Sequence, residues 1–208
     1  MQKALLITGA SSGFGELTAR LALERGWAVA ATARRPEAVL RGADSPSLLR
    51  SRLDVTDEGS IRGSVAAARA RFGRLDAVVN NAGVGVCGAA EEVPEADVRW
   101  LFDVNFFGAV AVARAALPGM REQGGGRLVF VSSDWGRVGF PAYSAYCASK
   151  HALEGWCESL SHEVRRFGVH VTLVEPGAFD TGFEERSLRQ VGAVRDPGSP
   201  YAGLYRAV

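Results

Sequence analysis

The chain has 208 residues, 47% hydrophobic and 23% charged, with 24 basic against 23 acidic side chains. That is ample for one folded domain with a buried core, and it excludes a disordered chain. A net charge of +1 leaves no electrostatic footprint for nucleic acid or for an acidic membrane surface.

In chain order, short apolar runs alternate with longer segments of helical period. Ala4 to Ile7 reads as a buried strand, followed by a glycine turn and a helix from about Gly13 to Arg25. Trp27 to Thr32 is a second strand and Arg52 to Val55 a short third, after which Thr56-Asp57 supplies cap chemistry for a helix reaching Phe72. Leu75 to Val79 is a fourth strand, and a long helix runs from about Pro94 to Arg121. The glycines 124 to 126 break it before a fifth strand, Arg127 to Val131. A helix over about Ala142 to Phe167, stopped by Gly168, leads into a sixth strand, Val169 to Val174. This alternation predicts an α/β fold: a doubly wound, Rossmann-like parallel sheet of six or more strands, covered on both faces, in a single domain over 1–208. Beyond Val174 the chain is rich in turn formers, with one helical stretch expected over Glu184 to Val191. The apolar sixth strand predicts a bare sheet edge, to be covered by the tail, by a partner or by chain continuing past Val208.

No 18-residue uninterrupted apolar run and no signal-peptide pattern is present, and Cys87, Cys147 and Cys157 suit reduced thiols. The reading is a cytoplasmic protein without a membrane segment. Of the basic residues only Lys3 and Lys150 are lysines, so a lysine at any given position is unusual here.

Three segments carry chemistry. Thr8-Gly9-Ala10-Ser11-Ser12-Gly13-Phe14-Gly15 follows the first strand and opens the first helix, where glycines permit a tight turn and let backbone approach a pyrophosphate. At the end of the second strand, Ala33-Arg34-Arg35 offers no carboxylate for ribose hydroxyls; arginine there suits a 2′-phosphate, favouring NADP(H) over NAD(H). Tyr146 and Lys150 stand four apart on a predicted helix and so share a face. A neighbouring ammonium is expected to lower the phenol from its ordinary value of about 10 towards acid–base work near neutrality.

Together with Asn80-Asn81-Ala82-Gly83, Ser132-Ser133, Asp54-Val55, Asn105 and Pro176-Gly177-Ala178-Phe179-Asp180-Thr181, these motifs resemble the short-chain dehydrogenase/reductase family over about residues 3 to 181. The resemblance implies Tyr146 as general acid/base, Lys150 as the group that lowers it and binds the nicotinamide ribose, and Ser133 as holder of the substrate oxygen. It implies Asn105 as the anchor of a proton-relay water. Gly9, Gly13 and Gly15, with Ser11, Ser12 and Phe14 of the same turn, would bind the pyrophosphate. Asp54 and Val55 would meet the adenine, Asn81, Ala82 and Gly83 would line the cofactor, and Pro176, Gly177 and Thr181 would close over it. The activity implied is hydride transfer between nicotinamide and a ketone or secondary alcohol, in a dimer or tetramer of identical chains. A cofactor-binding sensor or scaffold without turnover is the alternative. Residues 178–208 fall where the family places its substrate-covering segment, which here stops early. Trp135, Phe140 and Phe179 are candidate pocket aromatics. Tyr143, Cys147 and the pair His151/His162 read as packing or surface residues, with no metal expected.

Overall fold

The structure is a computed structural model that describes residues 1–207. Its strands are β1 (Ala4–Ile7), β2 (Ala28–Ala33), β3 (Leu48–Arg52), β4 (Ala77–Asn80), β5 (Gly85–Cys87), β6 (Gly126–Val131), β7 (Val169–Val174) and β8 (Leu188–Gln190). The helices are α1 (Gly13–Glu24), α2 (Glu58–Phe72), α3 (Glu95–Phe102), α4 (Ala109–Glu122), α5 (Ser144–Val164), α6 (Phe183–Ser187) and α7 (Ala202–Tyr205). Six strands form one parallel sheet in the order β3-β2-β1-β4-β6-β7. Chain order reverses between β1 and β4, so the loops leaving those two strands diverge and open a crevice at their carboxyl ends.

The local chemistry explains the elements. Every position of β1 and β2 is buried, as small and branched apolar residues allow in a strand covered on both faces. Asp57 caps α2 by accepting from the Ser60 amide at 3.0 Å, and Gly73, at φ +78°, ends it in a left-handed turn. One face of the sheet packs Leu6, Val78, Leu128 and Phe130 against Ile61 and Val65 of α2, Val112 of α4 and Leu153 of α5. The other face packs Ile7, Val29 and Ala31 against Ala19 of α1 and the loop residues Val39 and Leu40.

Four features differ from expectation. The third strand lies at Leu48–Arg52, not Arg52 to Val55: the register Val29↔Leu48 to Ala33↔Arg52 sets it, and its arginines and serine mask it in the sequence. The long helix is one rod over Glu95–Glu122 interrupted by a π-helical turn at Asp103–Gly108. By length and composition that rod is apolar enough to cross a membrane, yet Leu101, Val112, Ala113, Ala116 and Met120 are buried in the fold. In the tail, the expected helix to Val191 ends at Ser187, because Leu188–Gln190 instead pairs in parallel with Gly85–Cys87 as a separate two-stranded sheet. Coverage of both faces holds over β1, β2 and nearly all of β4, but not at the β7 edge. On β7, His170, Thr172 and Val174 are exposed, and among the described residues no further strand joins that edge.

Candidate active site

The crevice is tied together beneath by Thr8 and Asn81. The Thr8 hydroxyl accepts from the backbone amides of Asn81 and Ala82, each at 3.0 Å, while the Asn81 side chain donates to the carbonyls of Thr8 at 2.9 Å and Gly9 at 3.1 Å. Gly9 and Gly13 sit at φ +67° and +54°, where side chains fit poorly. A β-carbon on Gly15 would stand 2.3 Å from the Gly9 carbonyl oxygen, so only glycine lets α1 start this close to β1. Ser12 precedes α1 without a side-chain cap, leaving the first helical amides unclaimed by it.

At the end of β2, Arg34 acts electrostatically on Asp54, beyond the end of β3. Burial works to raise the Asp54 carboxyl, but bonds from the Thr56 amide (3.0 Å) and hydroxyl (2.8 Å), with Arg34 and Arg52, hold it below its ordinary range. Val55 packs on Gly108, where an added β-carbon would lie 2.8 Å from the valine side chain. These residues, amides uncapped by Ser12 at one end and an arginine held in no ion pair among the described residues at the other, suit the phosphates of a dinucleotide.

Tyr146 and Lys150 do share a face of α5, the Lys150 Nζ lying 5.6 Å from the centre of the phenol ring. Lys150 is buried and donates to the Val131 carbonyl at the end of β6, at 2.9 Å. Burial lowers its amine to about 8, against an opposing influence from Glu154. Tyr146 is pushed up to about 12, chiefly by burial, with the Ser133 hydrogen bond working downward and Asp134 upward. The expected lowering of the phenol is therefore overturned here: desolvation outweighs its polar neighbours. Ser133 is buried, donates to Asp134 Oδ1 at 2.9 Å and accepts from the Trp135 amide at 3.2 Å.

Asn105 sits in the π-helical turn, a distortion that re-aims side chains at functional sites. Its side chain accepts from the Val84 amide at 2.8 Å and donates to the Val84 carbonyl at 2.9 Å and to the Ser149 hydroxyl at 3.2 Å. Gly83 lies between: a β-carbon there would be 3.5 Å from Asn105 Oδ1 and 3.8 Å from Lys150 Nζ. Thr181 folds back over the glycine turn, 3.3 Å from a β-carbon placed on Gly13, and Gly177 approaches Asp134. Pro176 accepts from the Asp134 amide through its carbonyl, at 3.1 Å.

The aromatic candidates divide. Trp135 stacks on Phe140 with centroids 4.5 Å apart and meets Tyr143 and Tyr146 at 4.7 and 5.9 Å, forming a wall beside the phenol. Phe183, which sequence reasoning missed, completes it at 6.4 Å from Tyr146. Phe179 instead packs on Phe14 above the glycine turn, at 5.5 Å. Burial, with a lesser influence from Cys87, pushes the Tyr143 hydroxyl further up than that of Tyr146. Cys147 is buried, and among the described residues no group of three His, Cys, Asp or Glu side chains stands where it could hold a metal. Asp134, whose place beside Ser133 follows from the turn after β6, and Glu154 carry no motif that marks them in the sequence.

Comparison with known proteins points to one family. The family described as short chain dehydrogenase matches residues 3–191. An uncharacterized oxidoreductase, YusZ of Bacillus subtilis, is 41% identical over all of this chain and 76% of its own length. A 3-ketodihydrosphingosine reductase of Bacteroides thetaiotaomicron is 39% identical over 97% of this chain and 72% of its own. The crystal structure of a short-chain dehydrogenase from Streptomyces avermitilis superposes with TM-score 0.90 at 42% identity, covering 99% of this chain and 77% of that one. ElxO with NADP bound superposes at TM-score 0.82 and 30% identity, over 87% of this chain and 75% of its own. A Burkholderia phymatum dehydrogenase in complex with NAD does so at 0.84 and 29%, over 99% and 77%.

Proposed function

The chain belongs to the short-chain dehydrogenase family of NAD(P)-dependent oxidoreductases, and from that premise we propose that it prefers NADP(H) and interconverts a small-molecule ketone and secondary alcohol. The nicotinamide, when bound, supplies or takes up the hydride. The chain's own residues orient the reactants and handle the proton. Gly9, Ser11, Ser12, Gly13, Phe14 and Gly15 hold the pyrophosphate at the start of α1, and Arg34 takes the 2′-phosphate. Asp54 and Val55 flank the adenine; Asn81, Ala82, Gly83, Pro176, Gly177 and Thr181 line the crevice. Ser133 holds the substrate oxygen, and Tyr146 gives it a proton on reduction and takes one on oxidation. Its hydroxyl, up at about 12, is a neutral proton donor throughout the physiological range. Lys150, protonated below about 8, supplies positive charge beneath it, and Asn105 holds the adjoining loop by its bonds to Val84.

The observation that carries this reading is the approach of the Lys150 amine to the Tyr146 ring, 5.6 Å, on one face of α5. Tyr146→Phe should cut NADPH-dependent carbonyl reduction by about 10²–10⁴-fold while NADPH binding, followed by fluorescence, persists. Full activity in that variant would refute the mechanism. Arg34→Ala should weaken NADPH and leave NADH nearly untouched; equal use of both cofactors by the unaltered protein would end the preference.

The protein is further read as a cytoplasmic homo-oligomer that binds neither nucleic acid nor membrane, in line with its net charge of +1 and with Phe107, which stands 56% exposed on the helical rod. Light scattering at micromolar concentration should give a multiple of 22.1 kDa. The protomer mass would contradict it.

A further inference from the structure

Among the described residues the fold buries two charged side chains, Lys150 at 5% exposure and Glu154 at 7%. They are opposite in sign and four apart on α5, so they lie on one face, one turn from each other. The lysine has its hydrogen bond to the Val131 carbonyl. The carboxylate has none: both of its oxygens are shut off from solvent without a hydrogen-bond partner, and so is the nearby Ser132 hydroxyl. Ser132 and Glu154 crowd the same side of Gly136, where a β-carbon would lie 2.8 Å from the serine oxygen and 3.1 Å from Glu154 Oε1. Arg137 is the nearest ion-pair partner, at 3.7 Å, but its own side chain is 64% exposed and its charge is screened by water.

Alone, a buried amine sheds its proton and a buried carboxyl takes one up; together, each favours the charged form of the other. We propose that Glu154 is a positioning residue, a buried counter-charge that acts along α5 to keep Lys150 an ammonium beneath Tyr146. The link to catalysis rests on the reading of Tyr146 and Lys150 as the acid–base pair. The counter-charge itself does not. The other titratable groups facing these two are Tyr146 and Cys157 on α5 and Arg137 from the turn after β6, with Asp134 of that turn acting on Tyr146.

The composition makes a direct test available, because the chain has only two lysines, Lys3 and Lys150. Isotope labelling of lysine side chains gives two titrating NMR signals, and Lys3→Arg assigns them. In Glu154→Gln the Lys150 midpoint should fall by about one pH unit, and Glu154→Asp, which keeps the charge, should hold it near that of the unaltered protein. An unmoved midpoint in Glu154→Gln overturns the proposal. Should that variant fail to fold, the unaltered protein serves: the labelled Glu154 side-chain carboxyl should give the NMR signal of an ionised carboxylate across the Lys150 midpoint, and a protonated Glu154 there overturns the proposal. The pH profile of NADPH-dependent carbonyl reduction then separates the two claims. If its alkaline limb moves with the NMR midpoint, both stand; if the midpoint moves and the limb does not, the counter-charge stands and the acid–base reading falls.

Discussion

At the scale of single residues, burial sets the chemistry more than neighbours do. Burial pushes the thiols of Cys87 and Cys157 up, the latter to about 12, and Cys147 is equally enclosed. A thiol reagent should therefore find none of the three cysteines in the folded protein at pH 8 and all of them after urea unfolding. Rapid modification of even one before unfolding would show an opening that the packing does not contain. Asn105 is the opposite case, a buried amide whose polar atoms are satisfied by Val84 and Ser149. Asn105→Ala strips both Val84 bonds at once, and urea denaturation should register a loss of about 1–3 kcal/mol. A neutral effect would mean that the β4–β5 loop does not depend on this side chain.

Elements show how much of the molecule could be read before any coordinates. The glycine turn and the Tyr146–Lys150 pair were legible because each lies within one element, where spacing alone dictates proximity. The bridge from Thr8 to Asn81, the carboxylate of Asp134 beside Ser133, and the pairing of β5 with β8 were not, since each joins residues through a loop or across the fold. Helix propensity at Glu184 to Val191 lost to strand pairing for the same reason. Two consequences can be measured. Gly15→Ala places a methyl carbon 2.3 Å from a backbone oxygen that has no room to retreat. It should cost about 1–3 kcal/mol, several degrees in melting temperature, and abolish NADPH binding. The ladder of β5 with β8 is three residues long and stands apart from the main sheet. Its amides should exchange hydrogen roughly a hundredfold faster than those of β1 and β4. Equal protection would make the tail part of the same cooperative unit as the sheet.

For the whole molecule, the parallel sheet gives the protein two unlike poles. Loops at the carboxyl ends of β1, β4 and β6 carry the crevice, while the amino ends carry the entering loops, among them Gly26–Trp27, Arg74–Asp76 and Gly124–Gly125. Lys3 lies at that second pole, exposed, with its amine 5.5 Å over the Trp27 ring. Lys150 is enclosed at the first. Among the described residues the reachable lysine amine is thus that of Lys3, facing away from the crevice. A succinimidyl ester should consequently tether the protein in a single orientation with its cofactor mouth outward. A sensor surface prepared this way should retain nearly all of its NADPH-binding capacity, where random attachment would forfeit a large share.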